Sequence, residues 1–226
     1  MPVSDAVIRD IEANGMTFRC RLAGDAGEPV VLLHGFPETS HMWLRLMPTL
    51  AAAGYRCLAP DQRGYSPGAR PDDVAAYGYD ELVSDVFALA GAVGFERFHL
   101  IGHDWGAIVG WAAVHVDAGK RIGSWTSLSI PHYVGFARAT YEAPDGNLYR
   151  GILAGLMTEG VFEGMVQNSP DAFRATWTHS SPEQIAEYMS VLGQPGAMRA
   201  AANWYRASNA HKRALESSVA PFGPVS

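Results

Sequence analysis

The chain has 226 residues, with 17 Lys and Arg against 23 Asp and Glu, a net charge of −6 and 48% hydrophobic residues. That length suits one sizeable domain with an insertion, since domains usually run to about 100–200 residues, and the acidic balance with scattered Lys and Arg argues against nucleic acid as a partner. The start Met1-Pro2-Val3-Ser4-Asp5 has neither the basic nor the apolar region of a signal peptide, and no apolar run approaches the ~18 residues of a membrane span, so the expectation is a cytoplasmic protein with no membrane partner.

Residues 7–12 and 16–22 alternate in polarity around the turn Ala13-Asn14-Gly15, which predicts an opening β-hairpin. Val30-Val31-Leu32-Leu33 is a continuous apolar run ending at His34-Gly35, and residues 55–59 end at Pro60-Asp61; both read as central parallel strands. Cys20 and Cys57 stand singly in strand-like segments and read as buried free thiols. Between the two strands, residues 39–53 carry Trp43, Leu46, Met47 and Leu50 at helical spacing. Residues 79–93 do the same with Leu82, Val83, Val86, Phe87 and Leu89, and Gly94 caps them. Residues 95–101 predict a buried strand, 107–114 a small and apolar helix, and 125–130 a further strand. Alternating β and α elements predict an α/β fold whose mostly parallel sheet is covered on both faces, with the site at the carboxyl ends of its strands.

From Pro131 onward the pattern turns helical, over residues 147–157, 159–168, 170–178, 182–191 and 195–208, with breaks at Asn168-Ser169-Pro170, Ser180-Ser181-Pro182 and Gln194-Pro195-Gly196. The expected organisation is a core over 1–131, a helical cap or lid over 132–220, and the start of a return to the core over 221–226.

Gly102-His103-Asp104-Trp105-Gly106 has the Gly-x-nucleophile-x-Gly spacing of a strand-to-helix elbow, with a carboxylate where esterases and lipases carry serine. An ordinary turn is the competing reading. The strand-like run before it and the helix-like run after it favour the elbow, whose following helix offers free N–H groups to an anion. A serine there attacks acyl carbon, whereas a carboxylate displaces a leaving group from saturated carbon and becomes an alkyl ester that water must cleave. Epoxide opening and carbon–halogen cleavage need that chemistry.

Together with His34-Gly35-Phe36-Pro37-Glu38 and Asp61-Gln62-Arg63-Gly64-Tyr65-Ser66, this elbow resembles the α/β-hydrolase superfamily and, within it, the epoxide hydrolase branch. The resemblance is strong over residues 7–139 and looser in the lid. It implies an α/β-hydrolase fold in which the N–H groups of Phe36 and Trp105 form an oxyanion hole, one such donor being worth about 2.7–4 kcal/mol of barrier. It also implies that His34, Gly35 and Pro37 shape the loop, and that the Asp61 to Tyr65 turn shapes the neighbourhood. Dehalogenases of this family often place a polar side chain where Phe36 offers only its backbone. Fluoroacetate dehalogenases share the loop but usually carry arginines after the nucleophile, and Trp105-Gly106-Ala107 has none. The resemblance therefore implies an epoxide substrate.

An opened epoxide needs an acid, and the family supplies two lid tyrosines. Asn203-Trp204-Tyr205-Arg206 matches the second motif and assigns Tyr205; Tyr149, in Asn147-Leu148-Tyr149-Arg150, is the candidate for the first, while Tyr141 and Tyr188 read as packing residues. A tyrosine of pKa about 10 is protonated at neutral pH and can donate. His99 and His103 lie four residues apart on a strand, ~13 Å at ~3.3 Å per residue, too far to share an ion. Neither metal nor cofactor is expected.

The family's relay histidine and its usual acid follow the lid, and the sequence ends at Ala220-Pro221-Phe222-Gly223-Pro224-Val225-Ser226, where the next strand is expected. None of the eight histidines holds the family's position. Ser127-Leu128-Ser129-Ile130-Pro131 lacks the acid some relatives carry there, and neither Asp61 nor Glu38 fits the relay role. The first reading is an epoxide hydrolase without its C-terminal part, the last strands of the sheet included. A haloalkane dehalogenase-type hydrolase and a non-catalytic homologue acting as a binding module are the alternatives. A lid rich in Met, Phe, Leu and Trp suits a small apolar aryl or alkyl epoxide, and a homodimer is left open.

Overall fold

Asn14 and Gly15 both hold positive φ, 49° and 73°, which the two central residues of a type I′ turn require, and they fold Val7–Ala13 (β1) back onto Met16–Ala23 (β2) in antiparallel register. The structure is a computed structural model that describes residues 6–132, 135–136 and 147–208, the first four of the last stretch by backbone alone. Four further strands complete a six-stranded sheet: Glu28–Leu33 (β3), Tyr55–Pro60 (β4), Phe98–His103 (β5) and Ile122–Leu128 (β6). Their order is β1-β2-β4-β3-β5-β6; β2 pairs antiparallel with β4, and β4, β3, β5 and β6 run parallel.

The unbroken apolar run of β3 follows from cover on both faces. Val30 and Leu32 point to one side and pack with Trp43, Met47, Cys57 and Ala59, while Val31 and Leu33 point to the other and join Leu58, Leu82, Val86, Leu89, Val109 and Ala113. The first layer is supplied by a 3-10 turn, Ser40–Arg45, and by Met47–Ala52 (α1); the second by Tyr79–Ala92 (α2) and Trp105–Asp117 (α3). Cys20 and Cys57 are buried free thiols, and burial pushes the Cys57 thiol up to about 11.

Several boundaries differ from the sequence expectation. The single helix over 39–53 is split at Leu46. Thr39 caps the 3-10 turn by accepting from the His41 N–H, and Pro48 sits in the first turn of α1. The strand placed at 95–101 begins at Phe98 instead, because the Phe95 N–H returns to the Ala90 carbonyl at 2.8 Å and its ring fills the core from a loop. The strand placed at 125–130 runs over Ile122–Leu128 and stops where Ser129 takes a φ of 78°.

The later helices are Asn147–Met157 (α4), Val161–Asn168 (α5), Pro170–Arg174 (α6, ending four residues before the expected 178), Pro182–Leu192 (α7) and Ala197–Ser208 (α8). Ser181 and Gln184 form a capping box at the start of α7. Five polar ties seat α7, α8 and the turn between them on the sheet and its loops. Glu187 accepts from Arg19 and Arg21 at 2.7 Å each, Arg70 donates to Gln194 at 2.9 Å, Arg199 pairs with Asp72, and the buried Trp204 donates its indole N–H to the Arg63 carbonyl at 2.8 Å. Among the described residues, no helix is long and apolar enough to cross a membrane.

Candidate active site

Asp104 stands between β5 and α3 with φ 51° and ψ −117°, a conformation that costs a non-glycine residue about 1–3 kcal/mol and is kept only where the surroundings impose it. Here glycines impose it. A Cβ on Gly102 would meet the Gly106 carbonyl, one on Gly106 the carbonyls of Leu33 and His34, and one on Gly35 the side chain of Asp104 itself. The spacing read in the sequence is thus a packing requirement: β3, β5 and α3 converge with no room for side chains.

The convergence brings two backbone donors to the carboxylate. Phe36 N–H donates to Asp104 Oδ1 at 2.8 Å, and the N–H of Trp105, next along the chain, also favours the charged form of the carboxylate. Loss of water raises the Asp104 pKa above the ordinary carboxylate range; the two N–H donors and the nearby His103 counteract this in part. The Phe36-Pro37 peptide is cis, and Glu38 N–H closes a tight turn onto the Gly35 carbonyl at 3.0 Å.

His34 is fully buried. Its Nδ1 donates to the Gly35 carbonyl at 2.9 Å, its Nε2 accepts from Gln62 N–H at 3.0 Å, and burial lowers its pKa, so the ring is neutral with both nitrogens engaged. Asp61 accepts from the N–H and hydroxyl of Ser40 at 2.8 and 2.6 Å, and Arg63 clamps Asp85 through two bonds of 2.7 Å. In these bonds His34, Asp61 and Arg63 fix the two motif loops to each other and to the 3-10 turn and α2 beside them.

Tyr205, on α8, lies edge-on to Trp105 at 4.9 Å and to Phe36 at 5.3 Å between ring centroids, and Phe162, on α5, meets Phe36 at 6.1 Å. Asp104, Phe36, Trp105 and Tyr205, four of the residues singled out in the sequence, therefore come together, with Phe162 added. Tyr149 has its backbone in α4, and its side chain lies outside the described residues, as does Tyr141. Tyr188 is fully buried, packed near Trp177 at 5.5 Å and His41 at 6.4 Å, as a packing residue is.

Sequence reasoning missed one pair. His103 Nδ1 bonds Glu38 Oε2 at 3.0 Å, and that bond raises the His103 pKa against the effect of burial. The sequence carries only that His103 precedes the elbow and that Glu38 ends the Phe36 loop; it is the parallel pairing of β3 with β5, seen in the structure, that brings both to the same end of the sheet. His99, at the other end of β5, bonds the Ser124 hydroxyl at 2.7 Å.

Residues 28–150 match the family described as alpha/beta hydrolase fold, and the chain belongs to it. It is 45% identical over 126 residues to epoxide hydrolase A of Mycobacterium tuberculosis, a match covering 54% of this chain and 38% of that protein. Over 217 residues it is 33% identical to the fluoroacetate dehalogenase of a Burkholderia species, covering 88% and 68%. The solved epoxide hydrolase VrEH1 from Vigna radiata is similar with a TM-score of 0.79 at 26% identity, covering 96% of this chain and 76% of that one. The match to the mycobacterial enzyme thus spans little more than a third of its length.

Proposed function

We propose that this chain carries the nucleophile half of a hydrolase that opens epoxides to vicinal diols through an alkyl ester on Asp104. The observation that carries the reading is the Asp104 carboxylate held by the Phe36 and Trp105 N–H groups at a strained elbow. With Oδ1 taken by Phe36, the other oxygen is the one to attack the epoxide carbon: a C–O bond to Asp104 forms, the ring C–O bond breaks, and the released oxygen takes a proton from the Tyr205 hydroxyl, with Tyr149 as second donor. In the second step water adds to the ester carbonyl. Its oxyanion lies where the two N–H groups already point; as it collapses, one proton of the water goes to the departing oxygen to release the diol, the other restores the Tyr205 hydroxyl, and Asp104 returns as carboxylate.

In this reading residues 1–131 form the catalytic core and 132–220 a lid that supplies the tyrosines and an apolar wall. Phe36, Phe162 and Trp105 suit a small apolar epoxide. The fluoroacetate dehalogenase relative keeps carbon–halogen cleavage as the second reading; against it, Phe36 offers a leaving halide only its backbone. Incubation with an aryl epoxide, digestion and mass mapping tests the proposal: an adduct on a residue other than Asp104, or one that persists in Asp104→Ala, overturns it.

A further inference from the structure

Directly after each of the two aromatic residues that face Phe36 comes a charged residue, Glu163 after Phe162 and Arg206 after Tyr205, and these two pair across the helices. Arg206 Nη2 donates to Glu163 Oε1 at 2.8 Å, with side-chain exposures of 10% and 16%. The same guanidinium donates to Asn203 Oδ1 at 3.1 Å and to the Thr158 carbonyl, just past the end of α4, at 3.3 Å. One side chain thereby gathers the ends of α4, α5 and α8. Glu163 Oε2 and Arg206 Nε are buried without a partner, so the pair is not the two-pronged bridge that arginine and carboxylate can form.

An ion pair so placed is a poor choice for stability alone, because apolar residues of similar volume generally hold two helices together as well or better. What a charged, directional contact supplies is register. Each residue of Asn203-Trp204-Tyr205-Arg206 has a separate contact: Trp204 fastens α8 to the Arg63 carbonyl, Asn203 and Arg206 join three positions apart, and Tyr205 is left facing Trp105 and Phe36. We infer that the Glu163–Arg206 pair is a positioning device that holds the Tyr205 hydroxyl and the Phe162 ring in register over Asp104. This rests on the reading of Tyr205 as proton donor.

Two reagents separate positioning from packing. Styrene oxide alkylates Asp104 and needs a proton for its oxygen; phenacyl bromide alkylates the same carboxylate as its C–Br bond breaks and bromide leaves, with no proton required. Single-turnover alkylation is followed by intact mass for the unaltered protein, Glu163→Ala, Glu163→Gln, Arg206→Lys and Tyr205→Phe. A misplacement near 1 Å costs up to ~10²-fold, so Glu163→Ala is expected to slow styrene oxide by about 10- to 100-fold and to leave phenacyl bromide essentially unchanged. Glu163→Gln, whose Oε1 still accepts from Arg206, recovers most of the rate, and Glu163→Ala adds nothing once Tyr205 is Phe. Parallel slowing of both reagents, or no slowing of either, overturns the positioning role. If Glu163→Ala does not fold, Arg206→Lys, which keeps the charge but loses the ties to Asn203 and Thr158, must show the same selective slowing or the inference fails. If Tyr205→Phe slows styrene oxide and these variants do not, only the positioning role is lost. If Tyr205→Phe leaves styrene oxide unchanged, the proton-donor reading falls, and the inference with it.

Discussion

The N–H of Phe36 reaches Oδ1 of Asp104 at 2.8 Å, although 68 residues separate them in sequence. The contact exists because β3 and β5 are parallel neighbours whose carboxyl ends meet where Gly35 and Gly106 leave no space for side chains. In the proposed reaction the resting carboxylate would thus occupy the donors that the oxyanion of its ester needs later, and no reorganisation of those donors would be required between the two steps.

The buried carboxylate has a cost in stability whose sign can be tested. The Asp104 pKa is raised in the folded state, chiefly by loss of water. A group raised on folding adds stability below its unfolded pKa, about 3.9, and loses that contribution as pH rises through the folded value. Asp104→Asn, which keeps an acceptor for Phe36, is thus expected to melt higher than the unaltered protein at pH 7 and to lose that advantage toward pH 4, while alkylation is abolished. Thermal melts across that range check it; an unchanged or lower melting temperature at pH 7 contradicts the assignment of burial as the dominant cause.

Tyr205→Phe should slow alkyl-enzyme formation by about 10²-fold or more, the scale of general acid catalysis, with hydrolysis of the ester nearly unaffected. The ring contacts with Trp105 and Phe36 survive the change, so that packing is kept while the proton is lost. Pre-steady-state measurement with an aryl epoxide decides it. Unaltered alkylation transfers the role to Tyr149 or to another donor.

The Glu38–His103 pair gives the opposite pH signature from an acid-labile carboxylate bridge. Its bond to Glu38 raises the His103 pKa, so the stabilisation is complete below the unfolded value of about 6.5 and is lost as pH rises through the folded value. Glu38→Gln should therefore lower the melting temperature more at pH 6 than at pH 9, and an NMR titration should find the His103 pKa lowered. A melting difference independent of pH contradicts a charged pair.

What was legible in the sequence was local. The Asn14-Gly15 turn, the Gly102 to Gly106 elbow and the apolar run of β3 each carry their reason within a few residues, and all three stand where expected. The fold class followed from their alternation. The Glu38–His103 and Glu163–Arg206 pairs join residues 65 and 43 apart, and no periodicity encodes which strand lies beside which or which helix end faces another. The misplaced strand starts have a similar cause: Phe95 is apolar but packs from a loop, and Ser124 looks like a loop residue but is held in β6 by pairing with His99 of β5, beyond an irregularity at which Gly123 is left unpaired.

Four histidines of the sheet and its loops are already engaged. His34 has both ring nitrogens occupied, His99 bonds Ser124, His103 bonds Glu38, and His41 lies against the Arg21 guanidinium at 3.5 Å, with burial lowering its pKa first and Arg21 second. None of these four repeats the arrangement of a base aimed at water beside the Asp104 ester. Ring opening needs only the carboxylate and a proton donor, so the 226-residue chain should take up one epoxide on Asp104 and stop. Intact mass after treatment with an aryl epoxide should show one substrate mass retained per chain without sustained diol release. Continuous turnover by the purified chain contradicts this, and loss of that turnover in His103→Ala but not in His41→Ala would identify the Glu38–His103 pair as the base.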